Sequence, residues 1–179
     1  MTPLRSDAAR SRERILAAAA GCHRADLRLN EVARAAGVGV GTVYRHFPTV
    51  DALVEALTAG TVEQALDAAR TALRTEDAGA AFHGFLSAML DLLLADDGLQ
   101  PVLLAADGSS SEVGRAKAEL TETAATLLDR AQRAGAARAE LTLGQLMHLV
   151  CGIEHVVRLG TPEDRATVTA VLRAGLRPD

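Results

Sequence analysis

The sequence predicts an all-α chain of nine helices in two domains, a small three-helix module at the N-terminus and a larger helical domain behind it. Three observations carry this reading. Hydrophobic residues make up 49% of the 179 residues but aromatics only 2%, so the core must be built from Ala, Leu and Val. Alanine and leucine favour helix, and no run alternates β-branched residues as a half-buried strand would. Apolar residues recur instead at helical spacing, between Gly, Pro, Thr and Asp positions that start and stop helices.

The first helix is expected from about Asp7 to Cys22, with Ile15, Leu16 and Ala19 inward and Arg5, Arg10, Arg12 and Arg14 at its start. Residues 23–28 form a short connection. Leu29, Val32, Ala33 and Ala36 then make one apolar stripe on a second, short helix. Gly37-Val38-Gly39 breaks the pattern, and a third helix runs from about Val40 to His46 with Gly39 at its N-cap. On it Val43 and Phe47 face inward, while Thr42, Arg45 and His46 point outward. Pro48 stops this helix. Thr49 caps a long fourth helix reaching about Arg74, with Asp51 favourable in its first turn. This helix joins the domain at residues 1–50 to the domain at residues 51–179.

Thr75-Glu76-Asp77 opens a fifth helix, striped with Phe82, Phe85, Leu86, Met89 and Leu93 and ended by Asp96-Asp97-Gly98. Gln100 to Ala105 form a short sixth helix before the polar loop Asp107-Gly108-Ser109-Ser110-Ser111. A seventh helix continues to about Arg133 through Leu120, Ala124, Leu127, Leu128 and Ala131, and Gly135 breaks it. Thr142 caps the eighth, which reaches about Leu159. Thr161-Pro162-Glu163, a cap followed by proline at the first helical position, opens the ninth.

Helix eight is apolar on two faces. Leu143, Leu146, Met147, Val150 and Val157 line one; Leu149, Gly152, Ile153 and Val156 line the other. A helix against a single core needs one stripe, so a second face implies a second partner. A two-fold homodimer through helices eight and nine is expected, with Leu149, Gly152, Ile153, Val156, Val168, Val171 and Leu172 at the interface. Gly152 would let the partner helix approach closely. The alternative is a helix buried at the centre of its own domain.

Residues 29–47 carry the functional signal. Two short helices around a glycine turn, the second with a polar, basic, small-residue outer face, make a helix-turn-helix suited to the major groove of DNA. Charge agrees: the net charge of −4 divides into +4 over residues 1–50 and −8 over residues 51–179. A basic end on an acidic body orients the molecule towards a polyanion.

The stretch AAGVGVGTVYRHFPTVDALVEAL resembles the signature of tetracycline-repressor (TetR) family regulators, including its Gly-Thr-x-Tyr-x-x-Phe core at Gly41, Thr42, Tyr44 and Phe47. The resemblance is specific over residues 12–57. It implies a dimeric repressor that holds a palindromic double-stranded DNA operator and is released by a small-molecule effector. It also assigns Tyr44 and His46 mostly to phosphates. The candidate DNA-binding residues are Arg28, Val40, Gly41, Thr42, Tyr44, Arg45, His46 and Thr49, with Arg45 the candidate for bidentate reading of guanine. Two positions depart from the family pattern. Val50 stands where members usually carry Lys or Arg on a phosphate, and Arg28 stands where Ser or Thr usually caps the second helix. The approach from His23 to Arg28 is also short and lacks the customary glycine.

An effector pocket is expected among helices four to eight. Its wall would be Phe82, Phe85, Met89, Leu103, Leu104, Leu127, Leu128 and Met147, with Gln100, His83 or Glu154 as polar anchors. The same residues would also serve simply to fill the core. With few aromatics available, an aliphatic or mixed ligand fits better than a flat aromatic cation.

Met147, His148, Cys151, Glu154 and His155 form the other cluster with possible chemistry, since Cys151 and His155 share a helix face at a spacing open to a soft metal. Packing is the commoner use of such residues, and no metal or other cofactor is expected. Cys22 and Cys151 are too few for a disulfide framework or a zinc knuckle. Gly37, Gly39 and Gly41 follow no strand, and GxSxG, HExxH and P-loop patterns are missing, so no enzymatic activity is expected. Without a signal-peptide core or about 18 uninterrupted apolar residues, the chain is expected to be cytoplasmic, with no membrane partner. Two rival readings stay open: a DNA-binding regulator without a small-molecule effector that answers to protein partners, and a helical enzyme or carrier.

Overall fold

The structure is a computed structural model that describes residues 3–105, 111–161 and 164–178, with side chains from residue 7 onward. The side chain of Arg5, the loop residues Asp107 to Ser110, and Pro162 and Glu163 at the expected start of the last helix lie outside the described residues.

Nine α-helices and no strand are present among the described residues. They are α1 (Pro3–Ala19), α2 (Leu29–Ala36), α3 (Val40–His46), α4 (Val50–Leu73), α5 (Ala78–Ala95), α6 (Leu99–Leu104), α7 (Glu112–Arg133), α8 (Leu143–Leu159) and α9 (Asp164–Gly175). The helix count and the all-α class match the sequence expectation. One difference lies between α1 and α2. The first helix stops at Ala19, before Gly21, a poor helix former, and a 3₁₀ turn at Arg24–Asp26 brings Leu27 to 2% exposure in the core.

The chain divides into two compact units, Met1–Gly60 and Thr61–Asp179. The division falls inside α4, past the 50/51 boundary read from sequence, because the first turns of α4, with Leu53, Val54 and Thr58 buried, group with the first unit. In that unit α1, α2 and α3 pack against one another around Ile15, Leu29, Val32, Ala33, Val43 and Phe47. Helix α2 ends where Gly37 takes φ +61°, with its N–H on the Arg34 carbonyl (3.2 Å) and the Val38 N–H on the Ala33 carbonyl (3.1 Å). This left-handed closure turns the chain into α3 within three residues. Gly39 supplies the extended N-cap of α3 and Thr49 caps α4, its hydroxyl accepting from the Ala52 N–H at 3.0 Å.

In the second unit α5 is central, packed against α6, α7 and α8. Asp77 caps it by accepting from the Ala80 N–H at 2.6 Å, and Ala81, Phe82, Phe85, Leu86, Met89, Leu90 and Leu93 are buried along it. By length and composition it is the one described helix that would suffice to cross a membrane; in this fold it is the core helix. Helix α7 is tied to the end of α4 by Arg70 on Glu119 (2.6 Å) and by Arg130 on the Leu73 and Thr75 carbonyls (both 2.9 Å). Thr142 and Gln145 form a full capping box at the start of α8. Helix α9 buries no residue of its own. It is held to α5 by polar ties, Arg165 to Asp91 and Arg173 to the Ser87 hydroxyl (2.6 Å).

Candidate DNA interface and C-terminal cavity

In α3 Val43, with Phe47 at the C-cap, points inward and leaves the opposite face open. Val43 and Phe47 are 0% and 3% exposed, whereas Val40 and Tyr44 are 44% and 48% exposed. Gly41 is exposed, and a Cβ there would meet nothing within 4 Å. Thr42 and His46 are half-buried. The exposed Arg45 folds back so that its Nε donates to the Gly41 carbonyl at 3.1 Å. Thr49 is exposed and committed to its cap, with Val50 half-buried beside it. Arg28 occupies the N-cap of α2 without capping it. Its guanidinium turns back onto the Leu27 (2.9 Å) and Ala25 (3.2 Å) carbonyls.

Two arginines of α1 do structural work that the sequence did not disclose. Arg14 Nη2 donates to the carbonyls of Ala36 and Gly37, the latter at 2.9 Å, and so holds the end of α2 at the turn. A Cβ on Gly37 would lie 2.8 Å from that nitrogen, the tip of a side chain that can shift, so it is the left-handed backbone at φ +61° that calls for glycine. Arg12 sits with its Cζ 5.5 Å from the Phe47 ring centroid, a cation–π contact at the end of α3. Both partners lie more than twenty residues away, so no local pattern could have pointed to them. Hydrogen bonds to a charged group at a helix end are worth about 1.5–3 kcal/mol. Arg14→Ala is accordingly expected to lower the stability of the full chain by about 1–2 kcal/mol in urea unfolding; an unchanged midpoint would show the clamp to be idle.

Between α5, α6, α7 and α8 the second unit has a cavity open on one side, with about 570 Å³ of empty space that includes part of the solvent at its mouth. Phe85, Met89, Leu103 and Met147, expected at a pocket wall, line it. Leu86, Leu93, Leu120, Thr121, Ala124, Leu143, Leu146, Val150 and Cys151, which the spacing did not assign to a pocket, complete the lining. Phe82, Leu127 and Leu128 are buried in the packed core and do not line the cavity, because they leave α5 and α7 on other sides. Leu104 is 45% exposed and Gln100 half-buried, both outside the lining.

None of the polar anchors expected there lines the cavity. Glu154, 4% exposed, is ion-paired with Arg158, whose Nη2 also donates to the Leu93 carbonyl at 2.9 Å and so ties α8 to the end of α5. His83 lies on another side of α5, and burial, with the positive charge of Arg173, lowers its pKa. Cys151 faces the cavity, and burial, with the nearby Glu154 carboxylate, pushes its thiol up. His148 and His155 are exposed, and no group of three metal-binding side chains is gathered among the described residues.

The other face of α8 remains uncovered. Leu149 and Val156 are 44% and 49% exposed, Gly152 is open, and Ile153 is half-buried. On α9 Val171 is 65% exposed, with Val168 and Leu172 half-buried. The face that carries Leu146 and Val150 is buried in the unit's own core.

A helix-turn-helix reader ahead of a helical domain with an apolar, solvent-open cavity defines a DNA-binding transcription regulator. The family model for bacterial regulatory proteins of the tetR family matches residues 15–57, and the model for the C-terminal domain of SbtR-like transcriptional regulators matches residues 77–178. The chain belongs to the TetR family. A TetR regulator from Mycobacterium vanbaalenii is 37% identical, with 98% of this chain and 100% of that one covered and a TM-score of 0.49. The TetR regulator SCO0520 from Streptomyces coelicolor is 29% identical over 93% and 98% of the two chains, with a TM-score of 0.54. LfrR from Mycobacterium smegmatis, solved in complex with proflavine, is 24% identical over 92% of each chain and shares the fold with a TM-score of 0.57. No curated protein matches the chain.

Proposed function

We propose that this regulator is a repressor: a homodimer whose paired α3 helices read a palindromic operator and which a small molecule releases. The observation that carries the dimer is the apolar face left open on α8 and α9, where Leu149, Val156, Leu159 and Val171 are between 44% and 75% exposed. Apolar surface gains about 25 cal/mol per Å² on leaving water, and contiguous patches of it mark interaction sites. A second copy carries the same face, so a two-fold axis covers both at once. Such a dimer would present two α3 helices at a spacing of about 34–36 Å, one turn of DNA, or a multiple of it.

Repression follows from occupying the promoter, in the cytoplasm and without catalysis. Release follows when a ligand in the second unit turns α4, which runs continuously from one unit into the other, and shifts the readers out of register. LfrR, which shares the fold, was solved with a small molecule bound, in keeping with an effector-binding second unit. Sedimentation of the protein, with a gel shift on duplexes selected from a random pool, tests this reading. A dimer and an inverted-repeat site are expected; a monomer at micromolar concentration would overturn it.

The uncharged residue at the start of α4 offers a further check. Val50→Lys adds a cation at a position where the family usually contacts a phosphate. Binding is expected to tighten on all sequences alike, and the salt dependence to steepen by roughly two released ions per dimer. An unchanged salt slope would place this side chain away from the phosphates.

A further inference from the structure

We propose that the cavity of the second unit takes an uncharged, mostly aliphatic molecule bearing at most one hydroxyl-type group, and that it rejects carboxylates and ammonium ions of the same chain length. This rests on reading the second unit as the effector domain, and it names the chemistry of that effector. The space is a pocket open on one side, and its wall is almost entirely apolar. Of its thirteen lining residues, Thr121 and Cys151 alone have side chains that hydrogen-bond through O–H or S–H, and none is charged.

The two polar groups set the limit on ligand polarity. The Thr121 hydroxyl donates to the Lys117 carbonyl at 2.9 Å, which spends its hydrogen and leaves the oxygen able to accept one bond from a ligand. Cys151 presents a protonated thiol, a weak donor and a weak acceptor. Neither offers a counter-charge. The charged side chains one helical turn from Cys151 and Thr121 along α8 and α7 are engaged elsewhere: Glu154 with Arg158, and Lys117 with the Ala105 carbonyl. An ion drawn below the mouth of this pocket would lose hydration and find no partner on the lining, whereas an uncharged chain loses nothing there. Aromatic stacking is limited to the single ring of Phe85, so shape selection falls to Leu, Val and Met side chains, which suit a flexible chain.

The test is a calorimetric titration of the full-length protein with 1-octanol, octanoate and octylammonium at pH 7, followed by a gel shift on a selected operator with each compound. Octanol is expected to bind at least tenfold more tightly than either ion. Thr121→Val is expected to weaken octanol severalfold while leaving the helical circular dichroism unchanged. Ala124→Phe, which fills the cavity from α7, is expected to abolish binding; should that variant fail to fold, the charge series on the unaltered protein decides. Equal or tighter binding of either ion overturns the proposed class and leaves the effector reading standing. Absence of binding by all three also overturns the class. Octanol binding in the cavity with no change in operator affinity supports the class and overturns the effector reading.

Discussion

Gly152→Arg is expected to turn the dimer into a monomer that keeps its helical circular dichroism and loses operator affinity by about a thousandfold or more, towards the non-specific level. The structure makes this a clean test. A Cβ at Gly152 meets nothing within 4 Å in its own chain, so the arginine has room in the subunit, and it is a better helix former than glycine. Its charge lands between Leu149 and Val156, on the face that a second copy would cover, where burial without a partner is prohibitive. Operator binding follows because one α3 offers too few base contacts for useful specificity, whereas two fixed helices add their energies on a palindrome. Gly144→Arg is the control. That glycine is equally open but lies on a different side of α8, and its variant should remain dimeric. Light scattering or sedimentation of both variants gives the answer; a dimeric Gly152→Arg would place the interface elsewhere.

The other large effect is expected at α3. Tyr44→Ala and Arg45→Ala should each weaken operator binding while leaving thermal unfolding unchanged. Neither side chain supports the core: Tyr44 is 48% exposed, and the bond from Arg45 to the Gly41 carbonyl stays within its own helix. In the groove Arg45 would exchange that carbonyl for a guanine edge. A bidentate contact of this kind is worth about 1–3 kcal/mol of discrimination, so Arg45→Ala should also relax preference at one base position of each half-site. Loss of Tyr44 should weaken binding without changing base preference, as loss of a phosphate contact does. A gel-shift titration against single-base operator variants separates the two outcomes, and unchanged binding by both mutants would sink the assignment.

Much of the local architecture was legible because it is written in short-range chemistry. The Leu29, Val32, Ala33 and Ala36 stripe, the glycine at a left-handed turn, and the Thr49 and Thr142 caps each act within four or five residues. The length of α3 and its inward pair, Val43 and Phe47, follow from the same spacing. The two faces of α8 were equally visible, since hydrophobic period shows how many sides of a helix are apolar. Which of them meets the subunit's own core is settled by packing.

Long-range contacts were not legible. Arg12 and Arg14 read as a basic patch at the start of a helix, yet one lies over the Phe47 ring and the other holds the Ala36 and Gly37 carbonyls. Glu154 and Arg158 stand at the spacing of an ordinary i,i+4 ion pair, and that pair forms; what the spacing did not show is that Glu154 is buried and that Arg158 reaches the Leu93 carbonyl of α5. The sequence by itself determined the helices, their caps and turns, and the reader they compose, because each depends on neighbours along the chain. Only the tertiary structure decided that Phe85 lines a cavity while Phe82 fills the core, and that α8 buries Leu146 and leaves Leu149 outside. Both outcomes depend on the angle at which one helix meets another, a quantity set by the sum of all their side chains and carried by no single residue.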